Sequence, residues 1–365
     1  MYRHNITLFF SIIFTSFLLL ITLTVFLYIK YPPYKQVEYW IKEAIILKER
    51  YLNTITKPKI IIFSGSNSLF SICTPLLKEK THHEIVNFGL TLNLPLEIIF
   101  KLIENYAESN DIILLPLEYP HYFRDKKLSQ KQIDVITTCT FEYIRGLPIT
   151  EITRIILPSI PRLIKDFNGK KIHIRTYEEY IKNKNISALL AKSTPYKDSF
   201  NIYGDMLYDD LNTLPENYSY SYFNIEDLKN FRFQQLKVFS KFLAKKNIKL
   251  ILTYPVSIRI QDFDLSKKEH LKKIEAFNKK CEEYDLELIG IPELSNYDRK
   301  FAFDFAYHLN AEGAILRSLY LADSINCYLA NKPQEIADLE AYKKQKKAEA
   351  KEILHEYRKL GYFFE

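Results

Sequence analysis

The sequence predicts an α/β protein in which a parallel five-stranded sheet is covered by helices and follows an N-terminal membrane helix. Three observations carry that prediction. Five short runs rich in Ile, Leu and Val are apolar at consecutive positions, the pattern of strands buried on both faces. Between them the apolar residues recur at helical spacing. Ahead of both, positions 6–29 contain no charged residue.

At a rise of about 1.5 Å per residue, positions 6–29 cover the roughly 30 Å hydrocarbon core of a bilayer. A cleaved signal peptide has a shorter apolar core, about 7 to 15 residues, and a small-residue exit. Here the core runs into Tyr28, Lys30 and Tyr31-Pro32-Pro33, so residues 1–31 read as an anchor and 32–54 as a juxtamembrane helix or linker. Strands are expected at 60–63, 85–88, 112–117, 250–254 and 286–291. Leu94, Ile98, Ile99, Leu102, Ile103 and Tyr106 form one helical stripe; Leu271, Ile274, Phe277, Cys281 and Tyr284 form another. The gap of about 130 residues between the third and fourth runs is too long for one crossover and implies an insertion, at about 120–226, within a domain spanning 55–330. That insertion is expected to hold a helical hairpin over 133–167, broken at Pro148, Pro158 and Pro161, and then a polar stretch at 196–205. A helix over 227–245, with Leu228, Phe231, Val238, Phe239 and Phe242 on its apolar side, leads back to the sheet. The Lys/Glu/Ala-rich tail, 331–365, carries Ile336, Leu339, Ile353, Leu354 and Tyr357 and reads as an amphipathic helix on the body or a partner, or as a solvated packing helix.

Composition narrows the function. A chain of 365 residues that is 47% apolar has ample material for a core. The net charge of +7, from 51 basic and 44 acidic residues, is spread along the whole length. With no clustered basic and aromatic motif, nucleic acid is not an expected partner. Cys73, Cys139, Cys281 and Cys327 are far apart with no Cys-x-x-Cys pair, so they read as buried thiols and not as a zinc site. His82 and His83 are adjacent before a strand and point different ways, so no metal is expected. No cofactor is expected either, since the eight glycines form neither a dinucleotide-binding fingerprint nor a P-loop.

Candidate chemistry lies where loops leave the carboxyl ends of the strands. Ser66 follows the first strand at Gly65. Ser64, Ser66, Asn67 and Ser68 also suit the cap of a following helix, and the two readings are compatible. His308 lies beyond the last strand with Asp304 upstream, ahead of Asn310-Ala-Glu-Gly313 and a helix. A serine hydroxyl needs an imidazole to take its proton and a carboxylate to orient that imidazole, and these three residues supply the set. His121, after the third strand, is a second candidate base. The tyrosines around 196–222 suit either sugar stacking or packing.

The order of these motifs resembles the SGNH, or GDSL, hydrolase superfamily. The anchor, Gly65-Ser66-Asn67, Asn87-Phe88-Gly89, Leu117-Glu118-Tyr119, the stretch Asn201 to Asp205, and Tyr307-His308-Leu309-Asn310 together are similar to membrane-anchored members from bacterial surface-polysaccharide systems, over roughly residues 55 to 330. The resemblance implies a three-layer α/β/α flavodoxin-like fold, Ser66 as nucleophile, His308 as base, Asp304 as its carboxylate, and Gly89 as an oxyanion donor. Asn67, Glu118, Tyr119, Asn201 and Asn310 complete the implied oxyanion and substrate-binding set. Two departures stand out. The spacing is Asp-x-x-x-His in place of Asp-x-x-His, with Asp298 as an alternative carboxylate. The usual asparagine after the third strand is replaced within Leu117-Glu118-Tyr119, and an ionised Glu118 cannot donate to an oxyanion, leaving Asn67 or Asn201 to compensate. The implied function is an envelope-anchored esterase or O-acyltransferase acting on acyl, notably acetyl, esters of a cell-surface glycan. The alternative is a catalytically silent module that binds glycan or organises polysaccharide-assembly proteins. Either implies a single-pass protein of the bacterial inner membrane with its body on the periplasmic or extracellular side. The Lys/Arg count around the span leans slightly the other way, but large domains translocate largely regardless of such charges.

Overall fold

The computed structural model describes residues 2–30, 40–124, 127–144, 147–166, 200–208 and 214–359. Positions 32–39 of the expected juxtamembrane helix or linker, residues 167–199 of the insertion, the start of the 196–205 stretch and the end of the tail lie outside the described residues, while most of the remainder of 32–54 forms the helix Trp40–Leu52.

The chain divides into two compact units, one of residues 1–42 and 127–175, the other of 43–126 and 176–365. In the first, α1 (Tyr2–Lys30) is a continuous helix whose segment Ile6–Leu23 is long and apolar enough to cross a membrane and is unburied. Two of its polar side chains are satisfied locally: the Thr15 and Thr22 hydroxyls donate to the carbonyls of Ser11 (2.8 Å) and Leu18 (2.9 Å). The expected helical hairpin is present further along this unit. Its second helix, Ile149–Asp166, runs through Pro158 and Pro161, which the sequence reading had as breaks. An interior proline removes one N–H from the ladder and crowds the carbonyl four residues back, yet the amphipathic pattern of this segment is helical throughout and the helix continues past both.

The second unit holds the sheet. Strands β1 (Lys59–Ser64), β2 (Glu84–Gly89), β3 (Ile112–Leu115), β4 (Lys249–Thr253) and a short fifth strand, Leu288–Ile289, are all parallel, with β2, β1, β3, β4 and the fifth strand side by side in that order. β3 stops two residues short of the expected end because Pro116 cannot donate to a ladder. The two faces of β1 are both buried. Ile60 and Ile62 pack with Leu77, Leu321 and Ile325, while Phe63 meets Phe88 (5.1 Å between ring centroids) and Phe88 meets Tyr106 (4.8 Å). The helix Leu96–Tyr106 buries the stripe read from the sequence. The helix Asn230–Ala244 does not: it buries Phe233, Leu236, Phe239 and Leu243, leaving Val238 and Phe242 exposed. Those four residues follow the 3.6-residue period more closely than the stripe first drawn. The tail helix Leu339–Lys359 packs through Ala350 and Leu354 onto the long helix Ala311–Leu329.

The order of β2, β1 and β3 places a topological switch between β1 and β3. The crevice there, beyond the carboxyl ends of the strands, is where ligands bind in open α/β sheets.

Candidate active site

Ser66 begins a six-residue helix, Ser66–Ser71, directly after β1 and Gly65. A side chain at Gly65 would collide with the Glu118 carboxylate and with the Leu92 nitrogen, so only glycine lets these segments close on one another. No side chain of this segment caps the helix. The Glu118 carboxylate, from the loop after β3, reaches across the switch point instead. Its two oxygens accept from Gly65 N–H and Asn67 N–H, each at 3.0 Å, one on either side of the serine. The Asn67 side chain donates to the Pro116 carbonyl at 2.7 Å, fastening the same two loops.

Asp304 and His308 sit on a tight excursion of a small antiparallel pairing in which Ala302 faces Leu309. Phe303 N–H donates to the His308 carbonyl (3.0 Å) and His308 N–H to the Phe305 carbonyl (3.1 Å). This turn absorbs the extra residue between the two side chains. His308 Nδ1 lies 2.6 Å from Asp304 Oδ1, and His308 Nε2 lies 2.8 Å from Ser66 Oγ. A carboxylate only accepts, so Nδ1 carries the hydrogen and Nε2 of the neutral ring is left to accept from the serine hydroxyl. The ring is held flat against Phe70, 4.1 Å away and 25° from parallel. Tyr222 pins the turn from behind, accepting from Ile258 N–H (2.7 Å) and donating to the Ala306 carbonyl (2.8 Å).

The structure therefore brings Ser66, His308, Asp304, Asn67 and Glu118 together. Other expected site residues serve elsewhere. Gly89 N–H is taken by the Asn87 side chain at 3.0 Å. Asn201 accepts from Tyr203 N–H (2.9 Å) and Asp205 N–H (3.0 Å), organising its own turn. Asn310 caps the following helix by accepting from Gly313 N–H at 3.0 Å. Tyr119 is fully buried against Phe223 and Tyr222, and burial raises its phenol well above the ordinary value. Asp298 pairs with Arg259 at 2.6 Å, not with His308. His121 has both ring nitrogens facing carbonyls, those of Glu118 (3.2 Å) and Leu94 (3.0 Å), and burial depresses its imidazole.

Sequence reasoning missed a buried polar hub behind the serine. Lys48 is fully buried, and its ammonium donates to the carbonyls of Asn87 (2.7 Å) and Gly204 (2.6 Å). Beside it, Asp205 accepts from Thr74 N–H (2.8 Å), the Thr74 hydroxyl (2.7 Å) and the Asn87 amide (2.8 Å). Asn87 also donates to the Ser68 carbonyl at 2.9 Å, which ties the hub to the helix Ser66–Ser71. Burial pulls Lys48 down from 10.5 to about 7, against the attraction of Asp205, and raises Asp205 above its usual range. A signal was present: Lys48 falls on the stripe of Ile41, Ala44, Ile45 and Leu52 in the helix Trp40–Leu52. Among the described residues, no group of three or more His, Cys, Asp and Glu side chains is arranged to hold a metal.

Compared with family models and with curated proteins, the chain matches none of them.

Proposed function

We propose that this chain is a membrane-anchored esterase or O-acyltransferase of the SGNH kind, acting on acyl, notably acetyl, esters of a cell-surface glycan through an acyl-Ser66 intermediate. The observation that carries the reading is the unbroken line from Asp304 through His308 to Ser66, at 2.6 and 2.8 Å. The strand order supports a three-layer, flavodoxin-like SGNH fold, with the serine at the switch point where that order places ligands.

In this mechanism Ser66 Oγ attacks the ester carbonyl carbon while His308 Nε2 takes its proton. Asp304 holds the ring and stabilises the imidazolium. Collapse breaks the bond to the alcohol, which leaves with the proton from Nε2. Water or a sugar hydroxyl then gives its proton to Nε2 and attacks the acyl carbon, and collapse breaks the bond to Ser66 Oγ, which takes that proton back from Nε2. Ser66 N–H, in the first helical turn where N–H groups lack intrahelical acceptors, faces the developing oxyanion. The anchor helix supports attachment to a membrane; in this reading that membrane is the bacterial inner membrane, with the catalytic unit on its outer side and polysaccharide-assembly proteins as neighbours.

One observation favours a silent glycan-binding or scaffolding module instead. Gly65, Asn67 and Gly89 N–H groups are all occupied by side-chain oxygens, leaving fewer donors for an oxyanion. Turnover of p-nitrophenyl acetate by full-length protein in detergent separates the two. Hydrolysis abolished by Ser66→Ala supports the enzyme; a folded wild type no faster than Ser66→Ala supports the module.

A further inference from the structure

Beside the 304–308 turn lies a cavity of about 550 Å³, a size suited to a small organic ligand. Its lining comes from residues 216–219 around Tyr218, from residues within 259–267, and from Arg299. Tyr218 links it to the triad: its hydroxyl accepts Ala306 N–H at 3.1 Å, midway between Asp304 and His308. Burial raises the Tyr218 phenol, and the neighbouring Asp304 adds in the same direction. Two residues on, Tyr220 packs edge-on against Phe305 (5.2 Å), which itself lies 5.3 Å from the His308 ring. Tyr218 therefore belongs both to the cavity lining and to the contacts that hold the 304–308 turn.

The lining mixes polar and apolar surface and is balanced in charge. Glu216, Asp262 and Asp264 face Arg259, Lys267 and Arg299. Arg259 is already paired with Asp298 at 2.6 Å, and Arg299 donates to the Leu214 carbonyl at 3.0 Å. A ligand with a fixed charge gains no net attraction from three acids and three bases. A ligand bearing many hydroxyls finds partners of both kinds in this lining, since carboxylates accept, the Lys267 ammonium donates, and the side chains of Asn217, Ser219 and Gln261 do one or both. The half-buried Tyr218 ring offers an apolar face of the kind that covers a sugar's C–H surface.

We propose that this cavity is a subsite for an uncharged, hydroxyl-rich sugar unit, holding the glycan next to Ser66 while its ester or acceptor hydroxyl reaches the serine. The inference rests on the glycan-ester reading of the site and adds to it the charge class of the glycan and its place of binding.

The test measures binding alone, using full-length Ser66→Ala protein in detergent with xylotetraose as the neutral probe and tetragalacturonate as the anionic one. Titration calorimetry is expected to show xylotetraose binding at least tenfold more tightly than tetragalacturonate. Gln261→Trp, which fills the cavity from an exposed position, is expected to weaken xylotetraose at least tenfold, and Asn217→Ala to weaken it in the same direction. Equal affinity for the two probes, no binding of xylotetraose, or undiminished binding by a folded Gln261→Trp overturns the subsite. Because catalysis is not measured, the two readings fail separately. Sugar binding without Ser66-dependent ester turnover leaves the subsite and removes the enzyme, whereas turnover without sugar binding does the reverse.

Discussion

Glu118→Gln is the substitution that most sharply examines how the nucleophile is held. The side chain is fully buried, and each carboxylate oxygen accepts one backbone N–H at 3.0 Å, from Gly65 and from Asn67. Glutamine keeps the shape but turns one of those oxygens into an N–H donor facing another N–H. One charge-assisted hydrogen bond is lost outright and the other becomes neutral, at a cost of about 1.5–3 kcal/mol in stability. Ser66 lies between the two clamped residues, so the loss moves its hydroxyl relative to His308 Nε2. A displacement of about 1 Å at a reacting atom costs roughly 100-fold in rate. Urea denaturation and p-nitrophenyl acetate turnover measure the two effects on the same preparation. The expected result is a lower midpoint at unchanged m-value, together with a fall in kcat of about 10- to 100-fold. Unchanged stability and unchanged kcat refute the clamp. A rise in kcat refutes it in another way, by showing that Glu118 blocks donors the reaction needs.

Asp304→Asn keeps the fold of the turn but presents His308 Nδ1 with an uncharged partner that no longer fixes the tautomer; kcat is expected to fall by about 10⁴, and a fall under tenfold contradicts the orienting role. Lys48→Met leaves the Asn87 and Gly204 carbonyls without their donor and removes the charge that offsets the burial of Asp205, and is expected to destabilise the protein by about 1–3 kcal/mol in urea, with Lys48→Met/Asp205→Asn recovering part of that loss. The same hub has a pH signature. Lys48 binds its proton less tightly folded (about 7) than unfolded, so from pH 7 towards 10 the unfolded state carries more protons and stability from this group rises with pH. Below pH 7 the group is protonated in both states and its contribution is flat. Between pH 7 and 9 wild type is expected to gain on the order of 2 kcal/mol relative to the double variant, read from urea midpoints; a gap that narrows with pH contradicts a depressed Lys48.

The sequence carried the parts of this architecture that depend on local pattern. Continuous apolar runs marked β1 to β4, and the serine and histidine were legible because each follows a strand end in a polar, turn-forming context. What it did not carry depends on which loops become neighbours. Glu118 lies 51 residues from Asn67, and its role exists only because β1 and β3 are adjacent. Read alone, its carboxylate was an obstacle to an oxyanion; in place, it is the acceptor that the helix after β1 lacks. Asn201 and Asn310 were expected at the site through the resemblance, yet their side chains bond to nearby backbone, the commonest use of asparagine at turns and caps. Asp304 was legible despite its unusual spacing, since the turn at 304–308 curls both side chains to one side. Lys48 was hidden by the habit of assigning lysines to the surface, although its helical phase put it inside.

Labelling with a fluorophosphonate probe, mapped by peptide mass spectrometry on full-length protein in detergent, tests the central claim most directly. An imidazole 2.8 Å from Ser66 Oγ makes that hydroxyl the reactive one, so the adduct is expected on the peptide containing Ser66, absent in Ser66→Ala and much slower in His308→Ala. Folded wild-type protein that stays unlabelled, or that labels equally fast without His308, contradicts it.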